Sequence, residues 1–127
     1  MNPAGVMLCD DLLFTSKVTT TARALGLTVV PAKTPDAAIA NAKAIHAVTV
    51  FIELHTPGLE LAPFLESLRA IEPMPRVIAF GSHVDTASLK AARAAGCDLV
   101  MPRSKFVASL EAELAGWLAP RESAPAE

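Results

Sequence analysis

The sequence is short of most features that mark a specialised chain. It has no tyrosine and one tryptophan, and aromatic residues make up only 5% of it, which leaves few rings for a stacking surface. Cysteine is scarce too: Cys9 and Cys97 lie far apart and match no metal-binding or redox spacing. They read as small buried hydrophobes, with a disulfide between them as the alternative. Neither sign of charge dominates. Eleven Lys and Arg against thirteen Asp and Glu leave a net charge of −2, and without a positive field nucleic acid is not an expected partner. Long hydrophobic runs are missing: the longest nearly uncharged stretch, around Ala44 to Ile52, falls far short of the roughly 20 residues of a membrane span. Met1-Asn2-Pro3-Ala4-Gly5 carries no basic segment ahead of an apolar one, so a signal peptide is not expected and the expected location is cytoplasmic. There is no phosphate-cradling glycine loop and no Ser-His-Asp spacing, so enzymatic catalysis is not expected.

What is present is an ordinary globular composition, 52% apolar and 19% charged, over 127 residues, which suits one domain with a real core. Apolar runs alternate with helical patterns five times. Val6-Met7-Leu8-Cys9 reads as a first strand running into Asp10-Asp11, followed by a helix from about Thr15 to Leu25 that Gly26 stops. Leu27-Thr28-Val29-Val30 is a second strand closed by Pro31, and Thr34-Pro35-Asp36 opens an alanine-rich helix with an N-cap, a proline at N1 and an acid in the first turn.

Val48-Thr49-Val50-Phe51-Ile52 is a third strand whose unbroken apolar run predicts burial on both faces. It leads into Glu53-Leu54-His55-Thr56-Pro57-Gly58, a loop. A third helix spans about Pro63 to Ile71, with Phe64, Leu65, Leu68 and Ile71 on one stripe. Val77-Ile78-Ala79-Phe80 is the fourth strand, and Asp85 caps a fourth helix ending before Gly96. Asp98-Leu99-Val100-Met101 is the fifth strand, leaving through Pro102-Arg103, and Ser104 is the expected cap of a last helix with Val107, Leu110, Leu114 and Trp117 on one face. Residues 1–118 form the expected domain, and 119–127 have the composition of a tail or linker.

Strands separated by helical segments of 10 to 15 residues predict right-handed βαβ units and a parallel sheet with helices on both faces. Five such units give an α/β three-layer sandwich, the flavodoxin-like (βα)5 fold with strand order 2-1-3-4-5. In that architecture a site forms outside the carboxyl ends of the strands, which draws attention to Asp10, Asp11, Glu53, Gly81, Ser82 and Arg103.

Those same residues carry a resemblance. Cys9-Asp10-Asp11, Glu53 through Gly58, Phe80-Gly81-Ser82, and Gly96-Cys97-Asp98 leading to Arg103 come in the order and spacing of the CheY-like receiver domains of bacterial two-component response regulators. The chain resembles that family over about Gly5 to Leu118. The resemblance implies that Asp10 and Asp11 would hold Mg²⁺, and that Glu53, Gly81 and Arg103 stand where an active receiver has its phosphoacceptor aspartate, its hydroxyl residue and its lysine. Glu53 is longer by one methylene, which moves the carboxylate by about 1.5 Å when roughly 1 Å already costs a reactive geometry about a hundredfold. Gly81 offers no hydroxyl, and Arg103 replaces a compact ammonium with a planar fork. The family commonly has an aromatic switch on the fifth strand, and this chain has Val100 there.

The expectation is a degenerate, phosphorylation-independent receiver-like domain in which Glu53 pairs with Arg103, the alternative being a carboxylate solvated at the loop mouth. Two further readings stay open: a working receiver with Mg²⁺-dependent phosphoryl transfer, and a module that binds a small ligand in the acidic cleft. No cofactor is required, although Asp10, Asp11 and Glu53 could form a weak Mg²⁺ site, and His55 and His83 lie near carboxylates as transition-metal ligands do. The resemblance also implies a partner surface, for a signalling protein or a second copy, on the face of the fourth helix, fifth strand and fifth helix. Lys90, Arg93, Val100 and Lys105 would belong to it. Trp117 would either anchor that interface or pack beneath the last helix.

Overall fold

The computed structural model describes residues 3–120. The expected tail therefore lies almost wholly outside the described residues. Five βα units follow in order: β1 (Ala4–Leu8), α1 (Leu12–Ala24), β2 (Thr28–Ala32), α2 (Pro35–Ala44), β3 (Thr49–Glu53), α3 (Leu61–Arg69), β4 (Arg76–Gly81), α4 (Thr86–Ala94), β5 (Leu99–Pro102) and α5 (Arg103–Trp117). All strand pairs are parallel and the sheet order is β2-β1-β3-β4-β5, as the sequence predicts.

The sheet separates two cores by the two-residue period of its strands. Val6, Leu8, Val50, Ile52, Val77 and Ala79 point to the side covered by α2, α3 and α4. Met7, Phe51, Ile78 and Phe80 point to the side covered by α1 and α5. The central strands thus need apolar residues at every position, and β3 is buried from Thr49 through Glu53. Glu53 is the one ionisable group in that run, so its carboxylate must find partners inside the structure.

Local signals account for most helix starts. Thr34 Oγ1 accepts from Ala37 N with Pro35 in the first turn, and Asp85 Oδ1 accepts from Ser88 N. Several boundaries depart from the expected ones by a residue or two, α3 among them at Leu61–Arg69 against about Pro63 to Ile71, and three departures have a clear local cause. β2 runs through Pro31 to Ala32, which a strand at the sheet edge tolerates because it can spare a ladder donor. Helix α1 begins at Leu12, three residues early, because Asp11 is its N-cap: Oδ1 accepts from Leu13 N at 3.0 Å and Phe14 N at 3.2 Å. Ser104 does not cap α5. The helix starts two residues sooner, with Pro102 at the cap position and no side-chain cap bond, so that Arg103 projects from its first turn.

The end of α5 is pinned beneath the sheet. Thr49 Oγ1 donates to the Trp117 carbonyl at 2.5 Å, and Arg76 Nη1 donates to the same oxygen and to the Ala119 carbonyl. Trp117 is buried and stacks on Phe106 with ring centroids 5.3 Å apart. It packs beneath the last helix and is not an exposed interface anchor, which removes it from the expected partner face. Next to it, Leu118 occupies the space over Gly5: a Cβ there would lie 2.7 Å from Leu118 Cδ2 and 3.2 Å from both Phe51 Cε2 and the Thr49 carbonyl oxygen. Gly5→Ala should therefore overpack this corner and cost roughly 1–3 kcal/mol, read as a lower urea midpoint at unchanged slope.

Candidate functional site

The carboxyl ends of β1, β3, β4 and β5 meet at one mouth, and the chemistry there is dominated by Glu53. Its side chain is 6% exposed, and both oxygens are engaged. Oε1 accepts from the His55 backbone N–H at 2.8 Å. Oε2 accepts from Arg103 Nε at 3.0 Å and from Arg103 Nη2. The guanidinium thus grips a single oxygen with two donors and leaves the other oxygen to the main chain. This is the expected Glu53–Arg103 pair, in place of a solvated carboxylate. Charge-assisted bonds of this kind are about twice as strong as neutral ones.

Neighbours hold both partners in place. Thr56 is buried, and its hydroxyl donates to the Glu53 carbonyl at 2.7 Å, which closes the turn after β3 and aims the carboxylate inward. Arg103 is 45% exposed, and its Cζ lies 5.7 Å from the centre of the Phe14 ring. A ring beneath a guanidinium restrains it and adds a cation–π attraction. Below Phe14 the aromatic packing continues: Phe14 stacks on Phe80 at 5.1 Å, Phe80 on Phe106 at 4.2 Å, and Phe106 on Trp117. Arg103 thus caps a column of rings that reaches the far end of α5.

Gly81 leaves a space that other side chains fill. A Cβ there would meet His55 Nε2 at 3.4 Å and Leu54 Cβ and Cδ1 at 3.5 Å. His55 Nε2 accepts from Ser82 N at 3.3 Å and lies 3.7 Å from Asp85 Oδ2, so His55 leans over the vacated position and ties the β3–α3 loop to the β4–α4 loop. Ser82 does not replace the missing hydroxyl, since its Oγ accepts from Val84 N within its own loop. Asp85 has its carboxyl pushed below the ordinary aspartate range by the Ser88 hydroxyl and backbone N–H that it accepts from, with a smaller contribution from His55.

The Mg²⁺ set implied by the resemblance is not assembled. Asp11 Oδ1 caps α1, and Glu53 is committed to Arg103 and the His55 N–H, so two of the three implied carboxylates are already bonded elsewhere. Among the described residues no three His, Cys, Asp or Glu side chains are grouped as a metal centre needs, which also sets aside the His55–His83 reading. Cys9 and Cys97 are both free. Burial, helped by the nearby Asp98 charge, pushes the Cys97 thiol up to about 11, and burial also raises Cys9, so neither is a reactive thiolate at neutral pH.

Beside Arg103 lies an open groove of about 580 Å³. Phe14, Val107 and Ala108 form its apolar floor, and Ser82, His83, Arg103 and Ser104 its rim. On the face of α4, β5 and α5, by contrast, Lys90, Arg93 and Lys105 are exposed and Val100 is half-buried, with Leu99 as the exposed aliphatic residue.

No protein-family model matches the chain, and no curated protein matches it in sequence. Solved structures do. A CheY-like protein (tadZ) from Pseudomonas aeruginosa is 22% identical with a TM-score of 0.68, over 98% of this chain and 100% of that one. A putative response regulator from Chloroflexus aurantiacus is 15% identical with a TM-score of 0.77, over 94% and 99%. The signal receiver domain of a putative LuxO repressor protein from Vibrio parahaemolyticus is 13% identical with a TM-score of 0.77, over 93% and 91%. The chain has the receiver fold. At these identities the likeness establishes architecture, and what this receiver-fold chain does must come from its own site. There the structure brings together Glu53 and Arg103 and places Gly81 beside them, while Asp11 caps α1. Phe14, Thr56 and the reach of His55 were not singled out from the sequence. Thr56 was the most accessible of these, as a hydroxyl residue just after the acid in a tight turn.

Proposed function

We propose that this chain is a receiver-fold module of a signalling system that works through protein contact, without accepting a phosphoryl group. One observation carries the reading: both oxygens of the buried carboxylate at the acceptor position are already hydrogen-bonded. To attack a phosphoryl donor, a Glu53 oxygen must present a free lone pair in line with the leaving group and be approached from solvent. Oε1 is held by a main-chain donor, Oε2 by two donors of Arg103, and the side chain is 6% exposed. The metal that would neutralise an incoming phosphoryl group has no assembled ligand set among the described residues.

The pair supports a positive role as well. A negative group bonded to a cation across β3 and β5 is the arrangement that a receiver reaches on phosphorylation. Here the side chains provide it permanently, so the mouth of the sheet rests in one state. The test is direct: incubate the protein with acetyl phosphate and Mg²⁺ and follow its intact mass. The mass should stay unchanged under conditions that label an active receiver treated in parallel. A gain of one phosphoryl group, lost again on mild alkaline or hydroxylamine treatment, would establish the rival reading of a working receiver.

A further inference from the structure

The most exposed large aliphatic residues of the domain are gathered at the mouth and not on the α4–β5–α5 face. Leu12 and Leu13 open α1, Leu13 being 87% exposed, and Val84 in the β4–α4 loop is 75% exposed. Both segments border the groove, since Phe14 follows Leu13 and His83 precedes Val84. Adjacent exposed leucines beside an apolar groove form a contiguous patch of the kind that marks an interaction site. A small molecule filling the groove would leave Leu13 and Val84 in water, whereas a protein segment would cover them.

The groove also specifies the charge of its occupant. Its rim carries Arg103, which bonds Glu53 through Nε and Nη2 but not Nη1, with His83 and two hydroxyl residues, and no Asp or Glu lines it. The fitting segment therefore presents aliphatic side chains next to carboxylates, with no cation. This chain displays such a segment itself: Asp10-Asp11-Leu12-Leu13, all four residues exposed. Knob and hole lie side by side on one surface, which is the requirement for an isologous pair in which each copy inserts into the other.

We infer that the domain forms a twofold dimer through this mouth, the start of α1 of each copy seated in the groove of its partner, with Leu13 over Phe14, Val107 and Ala108 and Asp10 against the Nη1 side of Arg103. The inference supplies a partner for the protein-contact role proposed above and rests on that reading for its purpose. Its test is independent of phosphoryl chemistry.

Sedimentation velocity across about 1–100 µM on the full chain should show a reversible dimer. Leu13→Asp should abolish it while leaving the fold intact, because the side chain is outside the core and an added acid suits the first turn of a helix. Ala108→Glu, an exposed groove position, should weaken association about tenfold or more. Leu99→Asp on the α4–β5–α5 face should leave the dimer unchanged. A monomeric wild type, a dimer indifferent to Leu13→Asp, or a dimer lost in Leu99→Asp would each overturn the inference. A monomer with an unchanged mass after acetyl phosphate would overturn the dimer alone, whereas a phosphorylated dimer would overturn only the earlier reading.

Discussion

Arg103→Met should lower the stability of the domain by about 2 kcal/mol, far more than loss of an ordinary surface ion pair. The reason is asymmetry. Arg103 is 45% exposed and can be lost to solvent at little cost to itself, but Glu53 is almost wholly buried at the end of a strand, where its other carboxylate bond comes from the His55 N–H. Removing the guanidinium leaves Oε2 without the donors Nε and Nη2, and a buried carboxylate short of its partners carries an unfavourable desolvation free energy. Breaking a pair buried at both ends costs roughly 3–5 kcal/mol and breaking an exposed pair under about 1, and the half-exposed arginine places this one between them. Methionine keeps the apolar stem over Phe14, so the loss reports the charge and not the packing. Urea denaturation of the two proteins at neutral pH measures it, and a difference below about 0.5 kcal/mol would mean that the Glu53 carboxylate is solvated after all.

A larger loss, about 4 kcal/mol, is expected for Phe106→Ala. Phe106 is fully buried and is the hub of the aromatic column: Phe80 lies 4.2 Å away at 10° to it, Trp117 5.3 Å away at 4°, Phe14 5.9 Å away, and Phe51 5.8 Å away in an edge contact. Truncation leaves a ring-sized void bounded by other rings, which cannot rotate into it without leaving their own neighbours. Each lost stack adds roughly 0.5–1.5 kcal/mol beyond area burial. The effect reaches the site because Phe14, which carries Arg103, rests on this ring. Trp117 touches it from the other side, so its fluorescence should shift to the red in the folded variant as water enters. A cost below about 1 kcal/mol, with unchanged fluorescence, would mean that the column is not a packing unit.

Much of this was readable in advance, and the reasons differ by element. The sheet order was legible because β1, β3 and β4 are buried on both faces, and only a parallel sheet between two helical layers asks for apolar residues at every position. The Glu53–Arg103 pair was legible because topology alone brings the ends of β3 and β5 to one mouth. The grip was not: that two nitrogens share Oε2 while His55 N takes Oε1 depends on the turn closed by Thr56 and on α5 starting at Arg103. Asp11 was misplaced because an aspartate after a strand fits two jobs equally, ligating a metal or capping a helix, and only the backbone donors of Leu13 and Phe14 decide between them. Pro31 ended a predicted strand that in fact continues, since a proline is compatible with a sheet edge and the sequence does not announce which strand is the edge. The aromatic column crosses three elements: Phe106 and Trp117 share the buried stripe of α5 with Leu110 and Leu114, whereas Phe14 and Phe80 lie on α1 and β4 and no local periodicity links them to it.

A double-mutant cycle on the two residues at the mouth measures the central claim most directly. Glu53→Gln keeps an oxygen for the His55 N–H while removing the charge, Arg103→Met removes the guanidinium, and the double variant removes both. Folding free energies of the four proteins should give a coupling of about 2 kcal/mol, with the double variant more stable than Arg103→Met alone because no buried carboxylate is left unpaired. A coupling within about 0.5 kcal/mol of zero, with the two single losses simply adding, would contradict the account: Glu53 and Arg103 would then be neighbours and not the lock that holds this site in one state.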